Sequence, residues 1–331
     1  MYNEKLTVNE RINTMEAMLN GNTGEQDKLA ADSYGKAFWN HMHSGEITNE
    51  LKVGSDGSGR YLIPTTYEKD LVKKLECENF MRKIGTVVTT EHDMRLPVSL
   101  TEAEGGWVDE GGEISFMDAK FGQVKLGAHK LEVAFLITDE LLEDSGVDLE
   151  KYAMEVFSEV IGENEEEAFL VGDGNGKPMG IIHQAEVGST TEKVGEINMD
   201  DMVDLVHSLK TPYRVKGVFV MSEDAYIKLR KIKFFDGRSA WRTSLVEGEP
   251  ERLFGYDVYV SDYMPTVDGG NKPVLFGDFK YYWIGDRGKR RFKRLSERFA
   301  DHGLVGFVAT QRMDGTLVLP EAVKSLVVKS E

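Results

Sequence analysis

The chain has 331 residues, 40% of them hydrophobic, with 40 basic against 57 acidic side chains and a formal charge of −17, which leaves room for two globular units and a tail. No apolar run approaches the roughly 20 residues that span a bilayer, and so acidic a chain lacks the local positive charge with which dedicated nucleic-acid binders displace counterions. The opening MYNEKLTVNERIN has neither the basic start nor the apolar core of a signal peptide, which predicts a chain made and used in the cytoplasm.

Up to about Asn49 the sequence is polar. It carries two short helical patterns, one through Val8, Ile12, Met15 and Leu19, the other through Tyr34, Ala37, Phe38 and Met42, and neither can bury much alone. His41 and His43 could chelate a metal, but residues two apart on a helix point to different faces and no third ligand is close in sequence, so no metal site is expected. The stretch KVGSDGSGRYLIP, 52–64, reads as a flexible joint into a folded body. Cys77 is the single cysteine, so no intrachain disulfide can form. Its neighbours Glu76 and Glu78 disfavour a thiolate, and it reads as a structural thiol.

From Ile84 to Ile137 the pattern is a hairpin with an oversized tip. Met94, Leu96 and Val98 alternate on one arm, and Val124, Leu126 and Ala128 on the other. The second arm then changes parity to Leu131, Val133, Phe135 and Ile137, which asks for a bulge near His129. Between the arms, Ser99 to Gly122 is acidic, with Glu102, Glu104, Asp109, Glu110, Glu113 and Asp118 flanking Trp107, Ile114, Phe116 and Phe121. A loop this long is either disordered or a device for reaching another molecule, and its aromatics favour the second. Trp107 and Phe116 are then either anchors on a partner or the hairpin's own small cluster.

Next comes a long amphipathic helix, about 148–171. Leu149, Tyr152, Ala153, Val156, Phe157, Val160, Ile161 and Ala168 form its stripe. Glu150, Glu155, Glu159, Glu163, Glu165, Glu166 and Glu167 are assigned to the opposite face. Asp148 or Ser145 is a candidate cap, and Gly172, Gly174 and Gly176 stop the helix. GDGNGKP, 172–178, is not a phosphate loop, since such a loop needs a preceding strand and a Ser or Thr after the lysine, whereas a helix precedes and Pro178 follows. An alternating helix and strand region follows: a helix through Met199, Met202, Val203, Val206 and Leu209, a strand at 217–221, and a helix capped by Ser222 that carries Ala225, Leu229 and Ile232. Strands are expected at 274–276, 281–284, 304–312 and 316–319.

The run Arg287, Lys289, Arg290, Arg291, Lys293, Arg294 and Arg298 is the dense positive patch of an acidic chain. It fits contact with nucleic acid, contact with the acidic loop of a neighbouring copy, or a solvated strand face, and the overall charge favours the second over DNA. HExxH, GxSxG and CxxC are absent, so nothing nominates catalytic or cofactor-binding residues.

Several of these segments together, ELLEDS with its helix and AFLVGDGNGKPMGII, the joint ending in Tyr61-Leu62-Ile63-Pro64, AEGGWVDEGGEISFMDAKFGQVKLGAHKL, KFFDGRSAW and RLFGYDVYVSDYMP, resemble the HK97-like major capsid proteins of tailed bacteriophages. The resemblance spans about Tyr34 to Val328 in family order. It implies an α+β fold with an N-terminal arm at 1–60, in which 1–31 leaves room for a short processed segment. A peripheral domain at 61–195 would hold the E-loop (84–137) and spine helix, followed by an axial domain at 196–300 and return strands at 301–331.

It further implies a non-enzymatic shell protein of a phage or prophage head. Pentamers and hexamers would form an icosahedral capsid around double-stranded DNA held without sequence-specific contacts, an acidic inner wall letting the DNA slide. Portal, scaffold, protease or decoration proteins would be its companions, with no membrane. The family alternative is an encapsulin-like nanocompartment. Inter-subunit contact is expected at Trp107, Glu110, Glu113, Phe116, Lys120, Arg290, Arg291, Lys293 and Arg294. Certain relatives cross-link a loop lysine to an asparagine beside a glutamate. Lys120 falls near the loop position, but 301–304 and 309–312 offer neither partner, which argues against such a bond here.

Overall fold

The computed structural model describes residues 33–52, 60–99, 121–143, 149–232, 241 and 251–330. The first helical pattern (8–19), the proposed helix caps Ser145 and Asp148, and the hairpin tip lie outside those residues. Residues 33–44 form helix α1, with Phe38 and Met42 buried as the spacing predicts. After α2 (Asn49–Lys52) and the two-residue strand β1 (Tyr61–Leu62) comes α3 (Thr65–Glu78), which buries Leu71 and Leu75. Cys77 is exposed, because it sits about 200° around the helix from Leu75, so it is not the structural thiol expected.

Asn79 caps α4 (Phe80–Ile84), its side chain accepting from Met81 N. Strands β2 (Thr86–Thr90), β3 (Met94–Ser99), β4 (Phe121–Leu126) and β5 (His129–Thr138) follow. β3 and β4 pair antiparallel with Met94 opposite Leu126 and Leu96 opposite Val124, the facing set that the alternation predicts. The parity change needs no bulge, since Gly127 and Ala128 separate β4 from β5 and each strand keeps its own alternation.

Helices α5 (Asp139–Glu143) and α6 (Leu149–Val171) come next; α6 is the long amphipathic helix expected over about 148–171. Its stripe is as predicted at Leu149, Ala153, Phe157, Ile161 and Ala168, all buried, but Tyr152 is 45% exposed. Glu165 (0% exposed) and Glu166 (9%) are buried, not on the water face. Glu165 lies four residues after Ile161 and three before Ala168, so helical geometry puts it on the inward stripe.

The chain continues through α7 (Ile181–Gln184), β6 (Glu186–Val194), α8 (Met199–Ser208), α9 (Thr211–Arg214), β7 (Val218–Ser222) and α10 (Glu223–Lys231). Ser222 caps α10 as expected, its hydroxyl accepting from Ala225 N at 3.2 Å. Then come β8 (Arg252–Leu253), β9 (Tyr256–Ser261), β10 (Val274–Gly277), β11 (Tyr282–Arg287), β12 (Arg291–Leu295), β13 (Leu304–Leu317) and β14 (Val323–Lys329). The expected strands 304–312 and 316–319 are one 14-residue strand. No turn forms at Asp314-Gly315, because Asp314 Oδ1 accepts from Gly315 N within an extended backbone that stays paired to β11.

Two compact units share these elements. The first comprises 1–74, 132–158 and 289–310. In it β12 pairs antiparallel with β1 (Phe292 opposite Tyr61) and with the start of β13 (Arg291 opposite Thr310). Its core is aromatic: Phe292 meets Phe157 at 4.4 Å and Phe38 at 6.1 Å, and Phe135 stacks on Phe307 at 5.4 Å. Offset and edge-on ring pairs of this kind add roughly 0.5–1.5 kcal/mol beyond area burial.

The second unit comprises 75–131, 159–288 and 311–331. β11 pairs there with the end of β13 antiparallel and with β2 in parallel. A separate six-stranded sheet runs β6-β14-β10-β7-β9-β8. Its central strands read as continuous apolar runs because both faces are covered. Phe219, Met221, Val274 and Phe276 enter one cluster with Met202, Leu205 and Leu229, while Val220 and Leu275 enter another with Phe169, Tyr282 and Leu317.

Candidate functional site

In the first unit, strand alternation divides the basic run. Phe292 points into the aromatic core, and Arg294, two residues on, shares its face. Arg294 Nε donates to Met42 O at 3.1 Å, and burial pushes its pKa down despite the Asp139 carboxylate. Arg290 is 7% exposed, and its carbonyl accepts from Ile63 N. Arg291 and Lys293 share the opposite face of β12, across from Thr310 and Val308. Of the four contact cations predicted in this run, Arg290 is therefore buried, Arg294 is half-buried on the face of Phe292, and Arg291 and Lys293, also half-buried, lie on the other face. Trp107, Glu110, Glu113, Phe116 and Lys120 lie outside the described residues.

Beside Arg294 an open groove of about 630 Å³ is lined by His41, Gly45, Ile47, Tyr61, Lys293, Arg294 and Arg298 among others. His41 is 8% exposed, its ring edge-on to Tyr61 at 4.8 Å and its Nδ1 within 3.1 Å of Glu46 O. Burial holds its pKa below the ordinary imidazole value; the Glu46 and Gly45 backbone opposes this, and the Arg294 guanidinium adds to it.

The unfolded chain, titrating near 6.5, then binds the proton better than the folded one, so stability is lost as pH falls below about 6.5. His41→Phe is expected to flatten that acid slope. Urea midpoints at pH 7.5 and 5.5 measure it, and equal drops in wild type and variant would rule His41 out as its source.

In the second unit a buried cluster holds the C-terminal part of α6. Arg82, on α4, donates through Nε and Nη2 to Glu165 at 2.5 and 2.7 Å, and through Nη1 and Nη2 to Asp286 of β11 at 3.0 and 2.9 Å. Asn79 Nδ2 adds a 3.4 Å bond to Glu165, and Gln311 Nε2 of β13 another. Flanked by two carboxylates, Arg82 holds its proton more tightly still, well above the usual guanidinium range, although burial by itself would loosen it.

A second arginine fastens the base of the β3–β4 hairpin. Arg287 bonds Thr90 Oγ1 at 3.2 Å, Asp93 Oδ1 at 2.9 Å and Gly127 O at 3.1 Å, while Gly127 N donates to Asp314 at 2.5 Å. Asp93 also pairs with Lys125 at 2.8 Å; Lys125 first and Arg287 second hold its carboxyl down at about 2. The acidic loop thus springs from a base tied to β11 and β13.

Among the described residues no three His, Cys, Asp or Glu side chains are grouped to hold a metal. A cavity of about 210 Å³ contains His129, whose Nε2 lies 3.6 Å from Asp314 Oδ1, but its lining has no serine, cysteine or threonine nucleophile. The 172–178 turn spends its backbone on itself: Gly172 N donates to Ala168 O, Gly180 N to Gly172 O, and Asn175 N to Asp173 Oδ1, with Gly174 and Gly176 at φ 78° and 73°.

What these units resemble decides the reading. The phage capsid family matches residues 59–328. The chain belongs to that family. It is 23% identical over 290 residues to the major capsid protein of Klebsiella oxytoca phage phiKO2, covering 83% of this chain and 65% of that protein. Against the major capsid protein of Escherichia phage T5 it is 30% identical over 159 residues, 44% of this chain and 34% of that one. The chain thus spans less than two thirds of the length of the curated relatives it matches. Among solved structures, the capsid of a native GTA particle is 29% identical with a TM-score of 0.66, over 76% of this chain and 90% of that chain. Gordonia phage Cozz, at 12% identity and a TM-score of 0.57, shares the fold.

For a member of the phage capsid family, the Arg82 cluster is what the sequence reading passed over. One signal was present: a glutamate on an apolar helix stripe must find a cation or donors, because a buried unpaired carboxylate is too costly to keep.

Proposed function

We propose that this chain is a phage major capsid protein that self-assembles, through pentamers and hexamers, into an icosahedral head enclosing double-stranded DNA, and that it works mechanically, not catalytically. The observation that carries this reading is the family match over residues 59–328, joined to a likeness that covers 90% of a GTA capsid chain at 29% identity. In this reading 1–60 is the N-terminal arm, 84–137 the E-loop, 61–195 and 301–331 the peripheral domain, and 196–300 the axial domain. The protein resides in the virion after assembly in the host cytoplasm, beside a portal and, where used, scaffold, protease and decoration proteins. Closure of a symmetric shell makes modest contacts cumulative, so no single strong bond is needed. The relatives' names favour a DNA-filled head over an enzyme-storing nanocompartment.

Negative-stain microscopy of the protein, alone and with its genomic companions, tests this. Particles containing long DNA support it; particles filled with a cargo enzyme, or a monodisperse small oligomer in every condition, overturn it. Arg291 and Lys293, on the face of β12 opposite Phe292, are proposed to meet the acidic loop segment of a neighbouring copy, setting register more than affinity. Reversing both charges (R291E with K293E) is expected to impair assembly while leaving the subunit's thermal unfolding within a few degrees of wild type. Normal shells from that variant would remove the contact.

A further inference from the structure

Phe254 is the one residue other than glycine with a positive φ among the described residues, at 53°. It joins β8 to β9, where Leu253 pairs with Tyr256, and Gly255 follows it at φ 88°. A two-residue hairpin turn with both φ values positive strongly prefers Asn-Gly or Asp-Gly, whose short polar side chain tolerates the left-handed region. Phenylalanine has no such relief, because its Cβ crowds the following carbonyl there.

Among the described residues the ring pairs with no other aromatic ring and no cation. It is 49% exposed while Leu253 beside it is 3% exposed, and it is absent from the cluster that holds Tyr256 against Phe276. The hairpin does not depend on it either, since Arg252 Nε donates to Asp257 across the strands at 2.8 Å and Val258 N to Glu251 O at 2.8 Å. Exposure alone would mean little, but an aromatic residue kept in a strained left-handed conformation points to work done outside the subunit.

We infer that Phe254 is an assembly anchor, held out by the β8–β9 hairpin for insertion against an adjacent copy of this chain. The inference rests on the shell reading above. A second copy is the fitting occupant because half a phenyl ring is far too little to hold a separate partner, when standard interfaces bury about 1,600 Å². The same small contact becomes effective when every copy gives one and receives one around a closed ring.

Two substitutions test it. Phe254→Asn relieves the turn and removes the ring; Phe254→Leu keeps an apolar side chain in the same strained backbone. The Asn variant is expected to unfold, as an unassembled subunit, at or above the wild-type temperature, yet to need roughly tenfold more protein to form particles, a loss of ~1.4 kcal/mol per contact. The Leu variant should assemble at close to the wild-type concentration.

Light scattering against concentration and thermal unfolding read both quantities. An Asn variant that assembles like wild type overturns the inference and leaves the shell reading standing. An Asn subunit that melts several degrees lower overturns it too, and would mean that the chain's own residues 242–250 cover the ring. A wild-type chain that forms no particles under any condition removes the shell reading and this inference with it.

Discussion

Replacing Arg82 by methionine is expected to destabilise the second unit by about 3–5 kcal/mol. The substitution leaves comparable volume but removes all four charged hydrogen bonds, so Glu165, whose side chain is 0% exposed, keeps only amide donors from Asn79 and Gln311. Asp286 is 16% exposed and can recruit water, so most of the loss falls on Glu165. Coulomb attraction between the pair does not set the figure, since desolvation offsets much of it; the cost comes from stranding one charge in the interior.

The double variant R82M with E165Q should therefore recover more than half of the loss, the glutamine still accepting from Gln311. Urea unfolding of the four proteins in this cycle measures the coupling. A single-variant cost below about 1 kcal/mol would show that the cluster is solvated and does not hold α6. Because α4, α6, β11 and β13 meet at this cluster, and β11 and β13 carry the hairpin base, a loosened unit should also yield fewer assembly-competent subunits.

Much of the fold was legible where chemistry is local. The helical periods of 33–44 and of α6, the Ser222 cap, and the Met94–Leu126 facing pattern each depend on residues close in sequence or on one hairpin register. What stayed hidden depends on distant partners. Glu165 finds Arg82 at a separation of 83 residues, and Arg82 finds Asp286 at 204.

The basic run was visible as density but not as geometry, because only the burial of Phe292 fixes which face of β12 points inward. Once it is fixed, Arg294 shares the face of Phe292, and Arg291 and Lys293 take the opposite one. The compact units were also beyond a linear reading, since each is assembled from three separated stretches. The acidic loop residues lie outside the described structure, so their role rests on composition and on the anchored hairpin base.

Gly315 shows how one atom's worth of space decides a topology. Sequence reading ended one strand at Arg312 and began the next at Thr316, yet β13 runs straight through, because a residue without a side chain lets the strand pass under two buried rings. A Cβ at Gly315 would lie 2.5 Å from the Tyr282 hydroxyl and 2.9 Å from the Phe169 ring. Both residues are 0% exposed, and Tyr282 donates to Met179 O at 3.0 Å, burial holding its phenol protonated far above the ordinary range.

Alanine ordinarily gains about 0.5–1 kcal/mol over glycine in a strand. Here overpacking of about 1–3 kcal/mol, together with roughly 1 kcal/mol for the displaced hydroxyl bond, reverses the sign. Gly315→Ala should thus cost about 2–3 kcal/mol in urea unfolding. Tyr282→Phe alone should cost about 1 kcal/mol, through an orphaned Met179 carbonyl. Together they should cost less than their sum by at least about 1 kcal/mol, because the second substitution removes the nearest obstacle to the first. Strict additivity would place the strain elsewhere, and a neutral Gly315→Ala would mean that the strand's course through this point owes nothing to the missing side chain.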